Sequence, residues 1–453
     1  MKLFNIIITV VLAFNLNAQD YDHVNIDLLG TWAIPADKTQ EFGDHYSSCW
    51  GYAQNGREYA IVGCANGTAY IDVTDAAKPV FVDFVTSRIK NAIWREYKTY
   101  KNYAYQVSDD GGPNHFDIVD LSYLPDSVHV AYTGNDIFRI AHTIFIDGTR
   151  MYRGGNMKIY DLSKDPVKPE LLLDNTIGYV HDMFVKNDTV YASQGNNGLF
   201  IYEFKDNKEL NLIGSFTNYP YAGYNHSSIL TPDGKTLIVT DEVPGSLPGK
   251  SVDVTDLTNP ILIDTFYTQS GKATLHNPFL APNNTFVMAS YLDGIQVYDY
   301  ADPKEIHLRG YFDTHWQTDS TNIDGGYDGA WSAYTELPSQ NVIVVDITNG
   351  LYVLDASKAY YQEVSKTKSV NNLRINTYPN PSENGFNIEL PASISGRVEV
   401  KIFSTNGSVV YQNIMDAAVI RSQQFTTSSW AKGAYLVQLK QKDKVYQSEQ
   451  VIK

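Results

Sequence analysis

The chain has 453 residues, room for two or three domains, and a formal net charge of −16. The charge is uneven: from Val370 onward there are nine Lys/Arg against six Asp/Glu, a net of +3, so the preceding 369 residues carry −19. So acidic a body repels phosphate backbones and excludes nucleic acid as a partner, leaving bound cations or plain solubility as the meaning of the charge.

Met1 to Ala18 has the layout of a secretory signal peptide: Lys2, an apolar run from Ile6 to Phe14 broken only by Thr9, and Asn17-Ala18 ahead of a cut before Gln19. A membrane anchor needs about 20 apolar residues. Neither this run nor any later one is that long, so no transmembrane helix is expected and the mature chain is exported through the periplasm.

Cys49 and Cys64 are the two cysteines, too few for a disulfide scaffold. Asn55-Gly56 between them is a hairpin signal. If the flanking runs pair about a turn of Asn55 to Glu58, Cys49 and Cys64 fall opposite each other. A cross-strand disulfide is then expected in an oxidising compartment, with two free thiols as the alternative.

A segment ending in an alternating β-run and an acidic residue recurs seven times. It appears as Ala69 to Val73, His115 to Asp120, Lys158 to Asp161, Leu199 to Glu203, Ser251 to Val254, Ile295 to Asp299 and Leu351 to Asp355. Spacings of roughly 40 to 56 residues suit four-stranded propeller blades, and nothing between has a sustained helical period. Turn signals such as Asp147-Gly148 and Pro232-Asp233-Gly234 precede the runs, and a further short strand follows each of the first six. After Asp355 that strand is missing. Ile26 to Trp32 (IDLLGTW) supplies it, matching Leu210 to Phe216 (LNLIGSF) and Ile306 to Phe312 (IHLRGYF). The expectation is an all-β fold: a seven-bladed β-propeller over 19–361, closed by its N-terminal strand so that no sheet edge is left open. A polar linker follows at 362–376, and then a small β-sandwich at 377–453.

Residues scattered through the body carry a family likeness. They include Cys49-Trp50-Gly51-Tyr52, Trp94 to Tyr100, Ala141-His142-Thr143, Val180-His181-Asp182, Tyr224-Asn225-His226, Leu275-His276-Asn277, Asp328 to Ser332 and Asp346 to Leu354. From about Tyr21 to Tyr361 the chain resembles the LVIVD-repeat propellers of the choice-of-anchor B surface proteins. Ser251-Val252-Asp253 is less regular than the repeat. The resemblance implies surface display and no settled activity.

The tail, with Tyr378-Pro379-Asn380-Pro381, Phe403 to Gly407, Lys432 to Val437 and a basic end at Lys453, is similar to the type A C-terminal sorting domain of the type IX secretion system of Bacteroidetes. That likeness implies the type IX machinery as a partner, removal of the tail, and a product released or anchored at the outer-membrane surface. An ordinary Ig-like accessory domain is the alternative.

First-strand starts in four consecutive units carry His142, His181, His226 and His276. Second-strand ends carry Asp109 and Asp110, Asn156, Gln194 and Asn196, Asp241 and Glu242, Asp293, Asp346 and Asn349. Counting back from Asp233-Gly234 sets His226 opposite Asp241, so imidazoles and carboxylates are expected to converge at one channel mouth. Such donors suit a divalent metal as cofactor, with His142, His181, His226, His276 and Asp241 as ligands. The alternative is that each histidine bridges neighbouring blades. Asp109 to Gly112 and Ile323 to Gly329 are Asp/Gly-rich, but neither fits a calcium loop. Ser227-Ser228 after His226 lacks a nucleophile elbow, so no catalytic residue is assigned. Two functions remain: a binding module for an extracellular glycan, protein or small molecule, or a metal-dependent hydrolase or lyase.

Overall fold

The computed structural model describes residues 21–110, 116–175, 177–206, 208–316, 327–361, 372–391, 394–404, 408–441 and 444–452. The expected signal peptide (1–18), residues 362–371 of the linker, His115, Gly111-Gly112 and Ile323 to Gly326 of the Asp/Gly-rich loops, Asn406-Gly407 and Lys453 lie outside the described residues. The chain divides into two compact units, Met1–Gln362 and Glu363–Lys453.

Strands in the first unit are short runs of β-branched and aromatic residues, such as Arg57–Cys64 and Val342–Asp346, which fit a pleated surface buried on both faces. They form seven antiparallel sheets. Six are built from consecutive strands spanning 46–86, 95–134, 144–174, 182–216, 225–266 and 278–312. The seventh takes Ala330–Tyr334, Val342–Asp346 and Gly350–Asp355, and its outer strand is Asp27–Trp32 from the start of the chain. Asp27 pairs with Asp355 and Trp32 with Leu351. The sequence reading missed one addition: His23–Val24 pairs with Phe312 and Tyr311, extending the sixth sheet by a fifth strand.

Consecutive sheets touch through their inner strands, and the seventh touches the first. An apolar cluster fills each junction. Val345 and Leu351 of the seventh sheet pack with Val62 and Ile71 of the first, just as Ile201 and Phe216 of the fourth pack with Leu237 and Val239 of the fifth.

In all seven sheets a bulge interrupts the pairing of the third strand with the fourth. The glycine of the repeated L-x-G strings has a packing role. A Cβ on Gly214 would lie 1.9 Å from the Leu257 carbonyl oxygen of the next sheet, and one on Gly30 would lie 2.3 Å from that of Ala76. Only a residue without a side chain lets the neighbouring turn approach so closely.

The cysteine expectation is corrected. The hairpin turn is the two-residue Asn55-Gly56, both at positive φ, so Gln54 faces Arg57 and Cys49 faces Val62. A bulge at Ser47-Ser48 then sets Tyr46 opposite Cys64. Both cysteines are buried and free. Cys49 Sγ points across to the Ser332 carbonyl of the seventh sheet at 3.6 Å. Burial pushes both thiols up to about 12.

The second unit pairs a five-stranded sheet with a three-stranded one, and Phe386, Ile388, Val400, Ile402, Val437 and Leu439 form its core. The linker ends sooner than expected at its C-terminal side, because Asn372–Arg374 pairs in parallel with Lys444–Ile452.

Candidate functional site

His142, His181 and His276 each stand one or two residues ahead of the first strand of a sheet, and His226 lies inside Asn225–Leu230. Adjacent inner strands therefore bring these side chains together. Ring centroids are 4.3 Å apart for His142–His181, 4.7 Å for His181–His226 and 4.3 Å for His226–His276. Two tryptophans at the same place in other sheets complete the circle. His276 is 4.5 Å from Trp331, Trp331 is 4.8 Å from Trp94, and Trp94 is 6.2 Å from His142.

Asp241 is not part of this group, which corrects the expected ligand set. A bulge leaves Asn225, not His226, opposite Asp241, and His226 is the extra residue between Asn225 and Ser227. Such a bulge re-aims one side chain out of the alternation. Here His226 turns to the channel while Asp241 turns between strands. Its carboxylate is buried, with Lys250 Nζ at 2.5 Å and Tyr219 Oη donating at 2.9 Å. The next residue, Glu242, takes its place. Its carboxylate lies 3.9 Å from His226 Nε2 and 4.0 Å from His276 Nε2, and it accepts a 2.6 Å hydrogen bond from Tyr291 Oη.

The remaining contacts fix how each imidazole presents its nitrogens. His142 Nδ1 is 2.9 Å from Asp109 Oδ2, His181 Nδ1 is 3.2 Å from Tyr224 Oη, and His276 Nδ1 donates to the Trp331 carbonyl at 2.7 Å. His181 Nε2, His226 Nδ1 and His276 Nε2 are buried without a hydrogen-bond partner. Buried polar atoms are normally paired, so three orphans in one cluster call for an occupant. One ligand atom each from His181, His226 and Glu242 lies within 4.8 Å of the others.

Burial, reinforced by the neighbouring imidazoles, holds His181 and His276 well below the usual imidazole range, so both stay neutral, the form that binds metal. His142 is raised. Burial opposes its charge, but the hydrogen bond and charge of Asp109 outweigh it, with Glu96 and Asp182 adding to the effect.

Two spaces meet this ring from opposite sides. A cleft holds Asp109, Tyr179, Tyr224 and Glu242. On the other side a channel is lined from the first strands of all seven sheets.

Residues 376–453 match the secretion system C-terminal sorting domain. A sorting tail of this kind indicates export by the type IX system to the cell surface or the extracellular space. Among the described residues no helix is long and apolar enough to cross a membrane. Comparison with curated proteins finds no match. Among solved structures the chain is similar to the computationally designed Ika8 protein, at 10% identity over 69% of this chain and 97% of that one, with a TM-score of 0.45. A likeness at that level carries no argument.

Proposed function

We propose that the body is a seven-bladed β-propeller of the LVIVD-repeat, choice-of-anchor B kind. In this reading it is a secreted or surface-displayed binding module that holds a divalent transition metal at its channel mouth. The cyclic contact of seven sheets and the N-terminal strand in the last of them support the propeller. The observation that carries the metal is the convergence of His181, His226 and Glu242 within 4.8 Å. Two imidazoles and a carboxylate suit zinc and its neighbours, and a three-residue set leaves a position open for an exogenous ligand. Tyr224 behind His181 and Tyr291 behind Glu242 are the outer contacts that orient such ligands.

Metal analysis of the purified full chain after zinc loading tests this. One zinc per chain is expected in the parent protein, and none in the His181→Ala/His226→Ala variant with its strand signal intact. A parent protein that takes up no metal would refute the reading.

A second reading is a metal-dependent hydrolase or lyase, favoured by the His142–Asp109 pair beside the cluster. A bound metal would supply an acidified water, and His142, oriented through Nδ1 by Asp109, would accept a proton at Nε2. Metal-dependent turnover that is lost in His142→Gln, with zinc retained, separates an enzyme from a binding module.

A further inference from the structure

The channel beyond the ring changes character along its length. Next to the imidazoles it is lined by Glu96, Asp182 and Asn277. Farther along come Trp50, Phe145, Phe184, Phe279 and Tyr334.

Glu96 and Asp182 both face this space, with Lys98 beside them and Glu336 also in the lining. Arg95, next to the imidazoles, spends its guanidinium on the Cys64, Ala65 and Ile89 carbonyls. Lys98 pairs with Glu96 while its ammonium sits over the Trp50 ring, 4.3 Å from the centroid. The chain thus already holds one ammonium between a carboxylate and an aromatic face in this channel. Among the described residues Asp182 makes no salt bridge. Asp182 Oδ1 accepts from Thr143 Oγ1 at 3.0 Å and from the Met183 N–H at 2.7 Å. Among the described residues, Oδ2 has no protein partner. The Ser228 hydroxyl lines the same space, 5% exposed and without a partner. Burial, with the charge of Asp182 adding to it, raises the Glu96 carboxyl, as expected where two carboxylates share one cation.

We propose that this channel binds a small organic ammonium ion, its head beside Asp182 and Glu96 and its apolar body among Phe145, Phe184 and Phe279. A carboxylate without a salt-bridge partner in the channel wall selects a cation over a neutral or anionic isostere. The aromatic walls add cation–π attraction and apolar burial. An inorganic cation has no use for five aromatic side chains. The site adjoins the metal cluster, but the proposal does not depend on a metal being bound there.

The test is calorimetric titration of the metal-free full chain with three probes: phenethylammonium, 2-phenylethanol and 3-phenylpropionate. Saturable one-site binding of the ammonium is expected, roughly 10- to 100-fold tighter than the alcohol, the range of one charge-assisted hydrogen bond. Phenylpropionate is expected not to bind. Asp182→Asn should erase the preference for ammonium, whereas Asp256→Asn, in an exposed turn of the fifth sheet, should leave it unchanged. Equal binding of the three probes overturns the proposal, as does no ammonium binding at millimolar concentration. The comparison among probes on the parent protein decides the matter even if Asp182→Asn fails to fold.

Discussion

Lys250→Met isolates the buried pair that withdraws Asp241 from the channel. Both side chains are fully buried, with Nζ 2.5 Å from Asp241 Oδ2, and burial draws the lysine down against the opposing pull of the carboxylate. Removing the ammonium leaves Asp241 with Tyr219 Oη at 2.9 Å and a long contact to Asn225 at 3.5 Å. Breaking one side of such a pair destabilises by about 3–5 kcal/mol, because an uncompensated charge stays in the interior. For a unit of about 340 residues, unfolding entropy near 2.1 cal/mol/K per residue converts that to a fall in Tm of roughly 4–7 °C. Replacing both partners with apolar residues, Asp241→Leu/Lys250→Met, should recover most of the loss. Thermal and urea unfolding of the parent, the single variant and the double variant measure this, with zinc uptake as a parallel readout expected not to change. A single variant within about 1 kcal/mol of the parent, or one that loses zinc, would refute the structural role given to Asp241.

Three further outcomes follow from the geometry. Burial and the charge of Asp293 push the Asp313 carboxyl up to about 6, against the hydrogen bond from His315 N–H. A raised carboxyl stabilises the fold below about pH 4 and loses that contribution as pH rises through 6, at most about 3 kcal/mol. Asp313→Asn should flatten the stability profile across that window, and an unchanged slope counts against the assignment. With both thiols pushed to about 12 and buried, Cys49 and Cys64 should resist a maleimide in the native state and take up two equivalents in denaturant without any reductant. A need for reductant would mean that the bridge exists. Deleting residues 19–34 removes buried Ile26 and Trp32, roughly 3–6 kcal/mol of apolar burial, and bares the Gly350–Asp355 edge. An unchanged melting temperature would show that the strand is dispensable.

The sheets were legible because their signals are local and repeated. Ile26 to Trp32 could be recognised as a displaced outer strand because its leucine and glycine fall where those of Leu210 to Phe216 fall, and the structure shows why that glycine recurs. The four histidines were also legible, as residues standing at equivalent starts of strands. Register was not. Asn55-Gly56 supports a two-residue turn, whereas the disulfide reading needed a four-residue turn, and two positions separate a bridge from a pair of free thiols. Likewise nothing in Tyr224-Asn225-His226-Ser227 announces a bulge, so parity counting chose Asp241 where the folded chain presents Glu242. Trp94 and Trp331 stood in quoted motifs, but indole and imidazole share no donor chemistry. Only their common place in the fold makes them one ring.

The two ends of the first unit meet within a single sheet, and this shapes how the unit can fold. Asp27 and Asp355 are neighbours in space and roughly 330 residues apart in the chain. Closing so long a loop carries an entropic penalty of about 5 kcal/mol, which grows only logarithmically with length, so the contact is affordable at equilibrium yet late in time. Six sheets can assemble from consecutive hairpins, while the seventh stays one strand short until the first-made and last-made segments find each other. Because those segments end side by side, the unit is also topologically circular. Its covalent break could be moved to an exposed turn such as Gly148-Thr149 and the old ends joined, with the same pairings still available.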